Sequence, residues 1–409
     1  VFFCQDCTTV QIGYTIPKEV MFGEFLYLSG TTKTLRDHFR QSAQMLTERL
    51  SLGPESLVVD IGSNDGTWIS CFKEEGTRIL GVECAANLAD LANSRGLTTL
   101  QRYFNQEVAQ EIVQNHGKAQ LVTAAGVFFH LEELHSVTAG VADLLGENGV
   151  FCVQAIYLGG MIEKLQFDQI YHEHLTYWRL GSIERLLNRY QLEVFSVRPL
   201  DIHGGTMEYW VCKKGARPID ACVEGLRQQE LRLGLHQLPV YQEFASRVFA
   251  LGKQLRSMLT ELKEQGRTVF AFGAPAKGAT LLNSFGIGTD LLDPEVTRGM
   301  AHGGRHGRLY GPHHPPALRT PRPAQRRPRL LRLVLRLPAH AAPRPGHLPL
   351  PLQDPPVLPL DPEHDPQHDH DRHRPASGRG DDTEKPLALV EIASDQQAES
   401  ARHLDDREQ

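Results

Sequence analysis

One stretch of this chain decides its fold, and it reads Val58-Val59-Asp60-Ile61-Gly62-Ser63-Asn64-Asp65-Gly66. A short apolar run over 57–61 ends in a glycine-rich turn, and a helix-like pattern begins at Thr67. Gly62 lets the chain turn sharply and lets a ligand approach the backbone. The free N–H groups of the first helical turn lie at the same place. The stretch therefore predicts a strand, a turn and a helix that together bind a ligand.

Strand-like and helix-like patterns alternate on both sides of this stretch. Further strands are predicted at 79–83, 121–125 and 150–155, and helices at 33–50, 85–95 and 131–146. Such alternation is typical of a parallel sheet with helices on both faces, that is, an α/β fold. After Val194 the pattern favours antiparallel strands, one of them at 207–211. Two long helices are predicted within 218–264, and a strand at 268–272 opens a second α/β domain.

Composition excludes several classes of protein. The 409 residues carry a formal net charge of -6, which favours neither nucleic acid nor a membrane surface as a partner. We find no secretory signal and no apolar run long enough to span a bilayer, so a cytoplasmic location is expected. The seven cysteines are mostly scattered singly, as in a protein of a reducing compartment. A monomer is expected.

The chain changes character near residue 290. Of its 25 prolines, 19 lie in 291–409, together with 11 of its 19 histidines. A segment so rich in proline and so poor in aromatic residues cannot bury enough apolar surface to offset its chain entropy. We therefore predict that 291–409 is a disordered tail or the product of a frame shift. The other predicted units are a partial zinc-binding module at 1–30, a ligand-binding domain at 31–215 and an incomplete α/β domain at 216–290.

The glycine-rich turn indicates which ligand is bound. Its spacing is Asp-x-Gly-x-x-x-Gly, whereas the dinucleotide fingerprint is G-x-G-x-x-G. The observed form resembles motif I of S-adenosylmethionine enzymes, and Glu83 at the end of the next strand could accept hydrogen bonds from both ribose hydroxyls. A nicotinamide oxidoreductase is the weaker alternative. The candidate cofactor-binding residues are Asp60, Gly62, Asn64, Asp65, Gly66 and Glu83.

A second informative stretch, Phe167-Asp168-Gln169-Ile170-Tyr171-His172-Glu173-His174-Leu175-Thr176-Tyr177-Trp178, follows the strand at 150–155. It should therefore lie at the ligand-binding edge of the sheet. The spacing differs from the H-E-x-x-H of zinc proteases. Histidine titrates near neutrality, so this Y-H-E-H cluster suits general acid–base chemistry. The alternative is that these histidines are structural.

The chain begins with half of a potential metal site. Cys4 and Cys7 form a C-x-x-C pair, and a structural zinc ion needs four ligands. Either two further ligands precede Val1, or the pair binds no metal.

The order of these motifs, with Tyr27-Leu28-Ser29-Gly30, His203-Gly204-Gly205-Thr206 and a G-A-x-A-K-G-x-T-L-L-N block from Gly273, resembles that of the NDP-4-keto-deoxysugar 3-C-methyltransferases. The resemblance spans roughly residues 4–290. It implies a Rossmann-like class I methyltransferase domain that uses S-adenosylmethionine, between an N-terminal zinc module and a C-terminal α/β domain. The substrate would be a nucleotide-linked 4-keto-6-deoxysugar that is methylated at C3 through an enolate.

The resemblance also implies roles for single residues. His174 would be the catalytic base, with Tyr171, Glu173 and Tyr27 as its active-site partners. Cys4 and Cys7 would be two ligands of a structural zinc ion. Contacts with the nucleotide sugar are expected from His203, Gly273, Lys277 and Asn283.

This sequence departs from the family at several places. The first zinc pair is missing, Ala125 stands near a usual asparagine, and Glu208 stands where an arginine usually follows the H-G-G block. Nothing after residue 290 resembles the family. These departures motivate an alternative hypothesis, in which the chain is a disrupted, inactive copy that keeps a cofactor-binding fold.

Overall fold

The computed structural model describes residues 1–272 and 276–292, and the backbone of two short strands at 331–333 and 388–391. The strands are β1 (Phe2–Phe3), β2 (Val10–Gln11), β3 (Leu57–Ile61), β4 (Arg78–Glu83), β5 (Thr99–Gln101), β6 (Ala119–Ala125), β7 (Leu145–Ile156), β8 (Thr176–Tyr177), β9 (Leu192–Leu200), β10 (Thr206–Lys213), β11 (Val269–Phe272), β12 (Leu331–Leu333) and β13 (Ala388–Glu391). The helices are α1 (Lys18–Phe22), α2 (Lys33–Leu50), α3 (Thr67–Glu74), α4 (Ala86–Ser94), α5 (Gln106–His116), α6 (Leu134–Leu144), α7 (Leu158–Glu163), α8 (Leu180–Leu187), α9 (Ala221–Arg232), α10 (Leu238–Glu264) and α11 (Ala276–Phe285).

A seven-stranded sheet with the order β5-β4-β3-β6-β7-β10-β9 organises the described residues. β3 pairs in parallel with β4 and β6, and the parallel pairing continues to β5 on one side and β7 on the other. β10 then runs antiparallel to both β7 and β9. The order in which successive strands are added reverses at β3: β4 and β5 lie on one side of it, and β6 and β7 on the other. Ligands bind at such a switch point in open α/β sheets. The predicted parallel sheet and the antiparallel strands after Val194 are both confirmed.

Each face of the sheet is covered by its own hydrophobic cluster. β3 shows why, because its residues alternate between the two faces. Val58 packs with α2 and α3, where Phe39 stacks on Trp68 at 5.1 Å between ring centroids. Val59 and Ile61 point to the opposite face, toward α5, α6 and α8. Burying each such side chain contributes about 1.5–3 kcal/mol, so a strand apolar on both faces belongs at the centre of the sheet.

The sequence analysis assigned no element to 96–118, and the structure places β5 and α5 there. β5 has three residues, which is too short for a periodic pattern. α5 begins at a recognisable cap, because the side chain of Asn105 accepts a hydrogen bond from the N–H of Val108 at 2.9 Å. Helix α6 begins at Leu134, three residues after the predicted start at 131.

The first residues of the chain join the edge of the functional region. β1, β2 and β8 form a small antiparallel sheet, and the N–H of Ile12 donates to the carbonyl of Leu175 at 3.0 Å. β8 directly follows the Y-H-E-H stretch, so this pairing fixes one end of that stretch.

The C-terminal part begins with α9 and α10, as predicted for 218–264. α10 packs with α11 around a third cluster that contains Leu259 and Phe285. β11 pairs in parallel with β13, which in turn pairs with β12. β12 and β13 fall within 291–409, where the sequence predicts no regular structure. Among the described residues, no helix is both long enough and apolar enough to cross a membrane.

Candidate active site

The turn after β3 has the backbone that its glycine predicts. Gly62 adopts a φ of 68°, in the left-handed region that favours glycine, and its N–H donates to the carbonyl of Val82 at 2.8 Å. A Cβ at this position would lie 2.7 Å from Cγ2 of Val127, in the segment after β6. The turn is therefore packed against the neighbouring loop of the sheet.

Glu83, at the end of β4, is held by the loops around it. Its Oε2 accepts from the N–H of Asn64 at 2.8 Å, and its Oε1 accepts from the N–H of Ala85 at 2.8 Å. The side chain is buried. A carboxylate fixed by two amides at the carboxyl end of a strand can accept further hydrogen bonds from a ligand's hydroxyl groups.

Asp60 is buried at the end of β3, where it accepts a hydrogen bond from the Thr123 hydroxyl at 2.6 Å. Burial, with a smaller contribution from the charge of Glu83, raises the pKa of Asp60 to about 7. Asp60 lines a small cavity with Gly62, Ser63, Ala125 and side chains of Ser29, Phe39 and Trp68. Ser63 Oγ and Trp68 Nε1 are buried without a hydrogen-bond partner in the protein. The cavity measures about 10 Å³, which is room for one small polar group beside Asp60.

The other three residues predicted to bind the cofactor shape the loop. Asn64 has a φ of 52°, and its side chain contacts the segment before α2. Asp65 accepts from the Thr67 hydroxyl at 2.6 Å and from the N–H of Gly30. Gly66 has a φ of 78° at the N-terminus of α3.

His174 is buried beyond the carboxyl ends of the strands. Its Nδ1 lies 2.7 Å from the carbonyl oxygen of Gln169, so Nδ1 carries the hydrogen and Nε2 keeps a free lone pair. Burial, followed by the nearby imidazole of His130, holds the pKa of His174 well below its usual range. The side chain is therefore a neutral imidazole that can accept a proton at Nε2.

His130 is an active-site residue that the sequence analysis missed. Its ring lies 5.1 Å from that of His174, and its Nδ1 lies 2.6 Å from the carbonyl oxygen of Glu173. Burial lowers the pKa of His130 to about 4. Its position could have indicated this from the sequence, because His130 lies five residues after the end of β6 and so at the ligand-binding edge of the sheet.

Of the predicted partners of His174, Tyr171 contacts its ring directly, and Glu173 precedes it in the chain. The ring of Tyr171 lies 4.0 Å from the His174 ring, and that of Phe129 lies 4.7 Å away edge to face. Burial raises the pKa of Glu173 and lowers that of His172, whose Nε2 is 3.9 Å from Glu173 Oε1. The Y-H-E-H stretch therefore forms one compact cluster around the imidazole.

Tyr27 reaches this cluster through a row of aromatic rings. It lies on residues 22–31, which we call the strap. Within the strap, the ring of Phe25 is 6.5 Å from Tyr27 and 5.6 Å from Phe22. Phe22 in turn packs edge to face on His130 at 5.6 Å. The strap therefore joins Tyr27 to the histidines of the active site.

The four residues predicted to contact the nucleotide sugar differ in where they lie. His203 and Lys277 lie close enough to His174 to lower its pKa through their charges. Asn283 is exposed on α11. Gly273 lies outside the described residues.

Glu208 stands where the family usually has an arginine, and its charge is compensated inside the protein. It is fully buried on β10, 2.9 Å from the Arg198 guanidinium. It also accepts from Trp210 Nε1 at 2.8 Å and from Gln154 Nε2 at 2.7 Å. The charge reversal thus forms an internal ion pair and leaves no uncompensated negative charge at this position.

Cys4 and Cys7 lie on one turn, where the N–H of Cys7 points to Cys4 Sγ at 3.5 Å. Two thiolates do not complete the four ligands of a structural zinc ion. The residues that the structure describes contain no group of three histidine, cysteine or acidic side chains that could hold a metal ion. The described residues alone therefore do not fit the zinc site that the resemblance implies.

Family models and a relative match this sequence. Residues 35–197 match a family model described as a methyltransferase domain, and residues 201–336 match one described as a C-methyltransferase C-terminal domain. The C-methyltransferase NovU of Streptomyces niveus is 34% identical over 289 residues, which cover 70% of this chain and 69% of NovU.

Among solved structures, the magnesium protoporphyrin IX methyltransferase ChlM of Synechocystis PCC 6803, with bound SAH, is 14% identical. That match covers 44% of this chain and 83% of ChlM, with a TM-score of 0.35. The CcbJ methyltransferase of Streptomyces caelestis is 13% identical, covers 43% of this chain and 90% of its own, and has a TM-score of 0.34.

The sheet order, the glycine turn after β3 and the matched domain define a class I, S-adenosylmethionine-dependent methyltransferase with a Rossmann-like fold. More narrowly, the chain belongs to the C-methyltransferase family of NovU. The second model match continues to residue 336 and so extends beyond residue 290, where the sequence analysis found no further resemblance.

Proposed function

We propose that this enzyme methylates C3 of a nucleotide-linked 4-keto-6-deoxysugar, and that the acceptor carbon is activated as an enolate. The observation that carries the proposal is the buried, neutral His174, whose Nδ1 hydrogen is held by Gln169 so that Nε2 can take a proton. A saturated carbon next to a ketone becomes a nucleophile only after it loses a proton, so methylation at such a carbon needs a base of this kind. The name of NovU supports transfer to carbon.

The ketone makes the reaction feasible at this base. A carbonyl at C4 acidifies the hydrogen on C3, and His174 Nε2 takes that proton while the electron pair moves onto the C4 oxygen. Tyr171 or Tyr27 would donate a hydrogen bond to the resulting enolate oxygen. The imidazolium then lies beside an anion, which offsets the cost of charging a buried histidine. Nearby Lys277 and His203 add positive potential at the same place.

Chain residues would also hold the methyl donor. Glu83 would accept hydrogen bonds from its ribose hydroxyls, and Asp60 would face its cationic end in the cavity that Ser63 and Trp68 line. S-adenosylmethionine supplies an electrophilic methyl group on a sulfonium. As the new carbon–carbon bond forms, the carbon–sulfur bond breaks and its electron pair stays on sulfur. His174 then loses its proton to water, which restores the base.

The decisive test compares two acceptors with the full-length chain. We expect transfer of labelled methyl from S-adenosylmethionine to a nucleotide-linked 4-keto-6-deoxysugar, and none to the same sugar reduced at C4. The label should lie on C3. With S-adenosylhomocysteine bound in place of the donor, the C3 hydrogen should exchange with D₂O. Equal transfer to both sugars, or label on oxygen, would overturn the proposal.

The elevated pKa of Asp60 predicts how cofactor binding depends on pH. Below about pH 7 the buried carboxyl is protonated, and a cationic ligand beside it favours the charged form. Binding therefore releases a proton, so affinity should rise with pH up to about 7, by at most about tenfold per unit, and then level off. Calorimetric titration with S-adenosylhomocysteine between about pH 5.5 and 7.5 measures this slope. Asp60→Asn should remove it, and an unchanged slope in that variant would contradict the assignment.

A further inference from the structure

The strap is fastened to the loops that surround the cofactor. Asn87, on α4, binds both backbone groups of one strap residue. Its Nδ2 donates to the carbonyl of Phe25 at 2.7 Å, and the N–H of Phe25 donates to its Oδ1 at 3.1 Å. Nearby, the N–H of Ala86 donates to the carbonyl of Gly23. Two strap residues, Gly23 and Phe25, are thus tied to the start of one helix.

A second pair of hydrogen bonds holds Tyr27 itself and Ser29. Asn64 Nδ2 donates to the carbonyl of Tyr27 at 3.0 Å, and Asn64 Oδ1 accepts from the N–H of Ser29 at 2.9 Å. The backbone N–H of Asn64 also donates to Glu83. A change at Asn64 would therefore disturb the cofactor site directly. Asn87 differs from Asn64 in this respect, because both of its side-chain hydrogen bonds go to Phe25 of the strap.

Other contacts hold the two ends of the strap. The rings of Phe22 and Phe25 pack in the aromatic row on His130, and the N–H of Gly30 donates to Asp65 Oδ2. The middle of the strap is more open, because Leu26 and Tyr27 are both exposed, and burial contributes less to its placement. Asn87 binds the strap two residues before Tyr27, and Asn64 binds the carbonyl of Tyr27 itself, so both asparagines help to position the tyrosine.

We propose that Asn87 is a positioning residue for methyl transfer: it docks the strap on α4 and thereby places Tyr27 over the active site. This inference rests on the proposed function, in which Tyr27 serves the reaction. Because α4 follows Glu83 directly, the docking also links Tyr27 to the loop that would hold the ribose. The geometry needs both the donor and the acceptor of the asparagine amide.

The chain provides a matched control on the same helix. Asn93 is also exposed and also binds both backbone groups of one residue, with Nδ2 at 2.9 Å from the Thr99 carbonyl and Oδ1 at 3.0 Å from the Thr99 N–H. Asn93 thus holds the first residue of β5, away from the strap. Asn87→Ala and Asn93→Ala therefore remove equal numbers of hydrogen bonds from α4.

We expect Asn87→Ala in the full-length protein to lower kcat by about tenfold, with the S-adenosylmethionine KM changed less than about twofold. Asn93→Ala should keep a kcat within about twofold of the unmodified protein. In the Asn87→Ala background, Tyr27→Phe should have a much smaller effect than it has alone, because the tyrosine is already displaced. Additive effects of the two substitutions, or equal losses in Asn87→Ala and Asn93→Ala, would overturn the proposal.

Hydrogen exchange separates this inference from the proposed function. The Phe25 amide should lose protection in Asn87→Ala and keep it in Asn93→Ala, whatever substrate the enzyme uses. If the unmodified protein transfers no methyl to the keto sugar, the substrate is wrong, and exchange still tests the docking. Unchanged protection of Phe25 in Asn87→Ala would show that Asn87 does not hold the strap.

Discussion

His174→Ala should reduce C-methylation by roughly 10³-fold while S-adenosylhomocysteine binds as before, because the substitution removes the proton acceptor and leaves the cofactor loops intact. The imidazole is buried, its Nδ1 hydrogen is held by the Gln169 carbonyl, and its Nε2 is free to act. General base catalysis contributes on this scale when the base is positioned. Steady-state kinetics with labelled methyl donor, and calorimetry for the cofactor product, measure the two quantities.

The matched control is His135→Ala. His135 lies on α6, is exposed, and forms a hydrogen bond through Nδ1 with the Tyr190 hydroxyl at 2.7 Å. The His135→Ala substitution should keep kcat within about twofold of that of the unmodified protein. Deuterium exchange at C3 of the keto sugar adds a readout of proton removal alone, and His174→Ala should abolish it. If exchange persisted in that variant, another group would be the base, and His130 would be the first to examine.

The central sheet could be predicted from the sequence because its strands are apolar on both faces and end in recognisable turns. The stretch at 58–66 predicted β3, its turn and the start of α3. Glu83 could be predicted as a site residue because it ends the next strand. The Y-H-E-H stretch could be placed at the active site because it follows β7. Each of these inferences uses local pattern, which a single sequence contains.

Other features could not be predicted from local pattern. His130 stands next to Phe128 and Phe129, so its surroundings indicate a hydrophobic core. Only the contact of the segment after β6 with the Y-H-E-H stretch brings His130 to His174. The contact between Asn87 and Phe25 joins residues 62 positions apart. The burial of Glu208 against Arg198 depends on the pairing of β9 with β10. Long-range contacts of this kind are set by tertiary structure alone.

The division into 1–30, 31–215, 216–290 and 291–409 stays a prediction. The pairing of β2 with β8 shows that the first residues are integrated with the methyltransferase domain. The family-model match over 201–336 continues past residue 290, and β11 pairs in parallel with β13. The boundary at 290 was placed by composition, namely by the proline, histidine and aromatic content of 291–409, and composition does not detect strand pairing.

Gly62→Ala should weaken S-adenosylmethionine binding by roughly 100-fold, because the new methyl group would meet Val127 while the backbone stays in a strained conformation. At a φ of 68° an alanine costs about 1–2 kcal/mol. The added Cβ would also lie 2.7 Å from Val127 Cγ2, closer than real carbon contacts allow. Relief requires the turn to move away from the segment after β6, and Gly62 and Ser63 of that turn line the cavity that contains Asp60. The binding site therefore opens, and affinity falls.

Gly117→Ala is a control that introduces backbone strain without a collision of the new methyl group. Gly117 has a φ of 88° at the end of α5, and a Cβ there would meet nothing within 4 Å. In thermal or urea unfolding, Gly117→Ala should lose about 1–3 kcal/mol of stability from backbone strain alone. Gly62→Ala adds the collision to its strain and should also lose stability, but it alone should lose affinity for the cofactor. Adding Val127→Ala to Gly62→Ala removes the colliding methyl group and should restore about tenfold of the lost affinity. Equal affinities in Gly62→Ala and Gly117→Ala, or no recovery in the double variant, would show that the turn after β3 does not contact the cofactor.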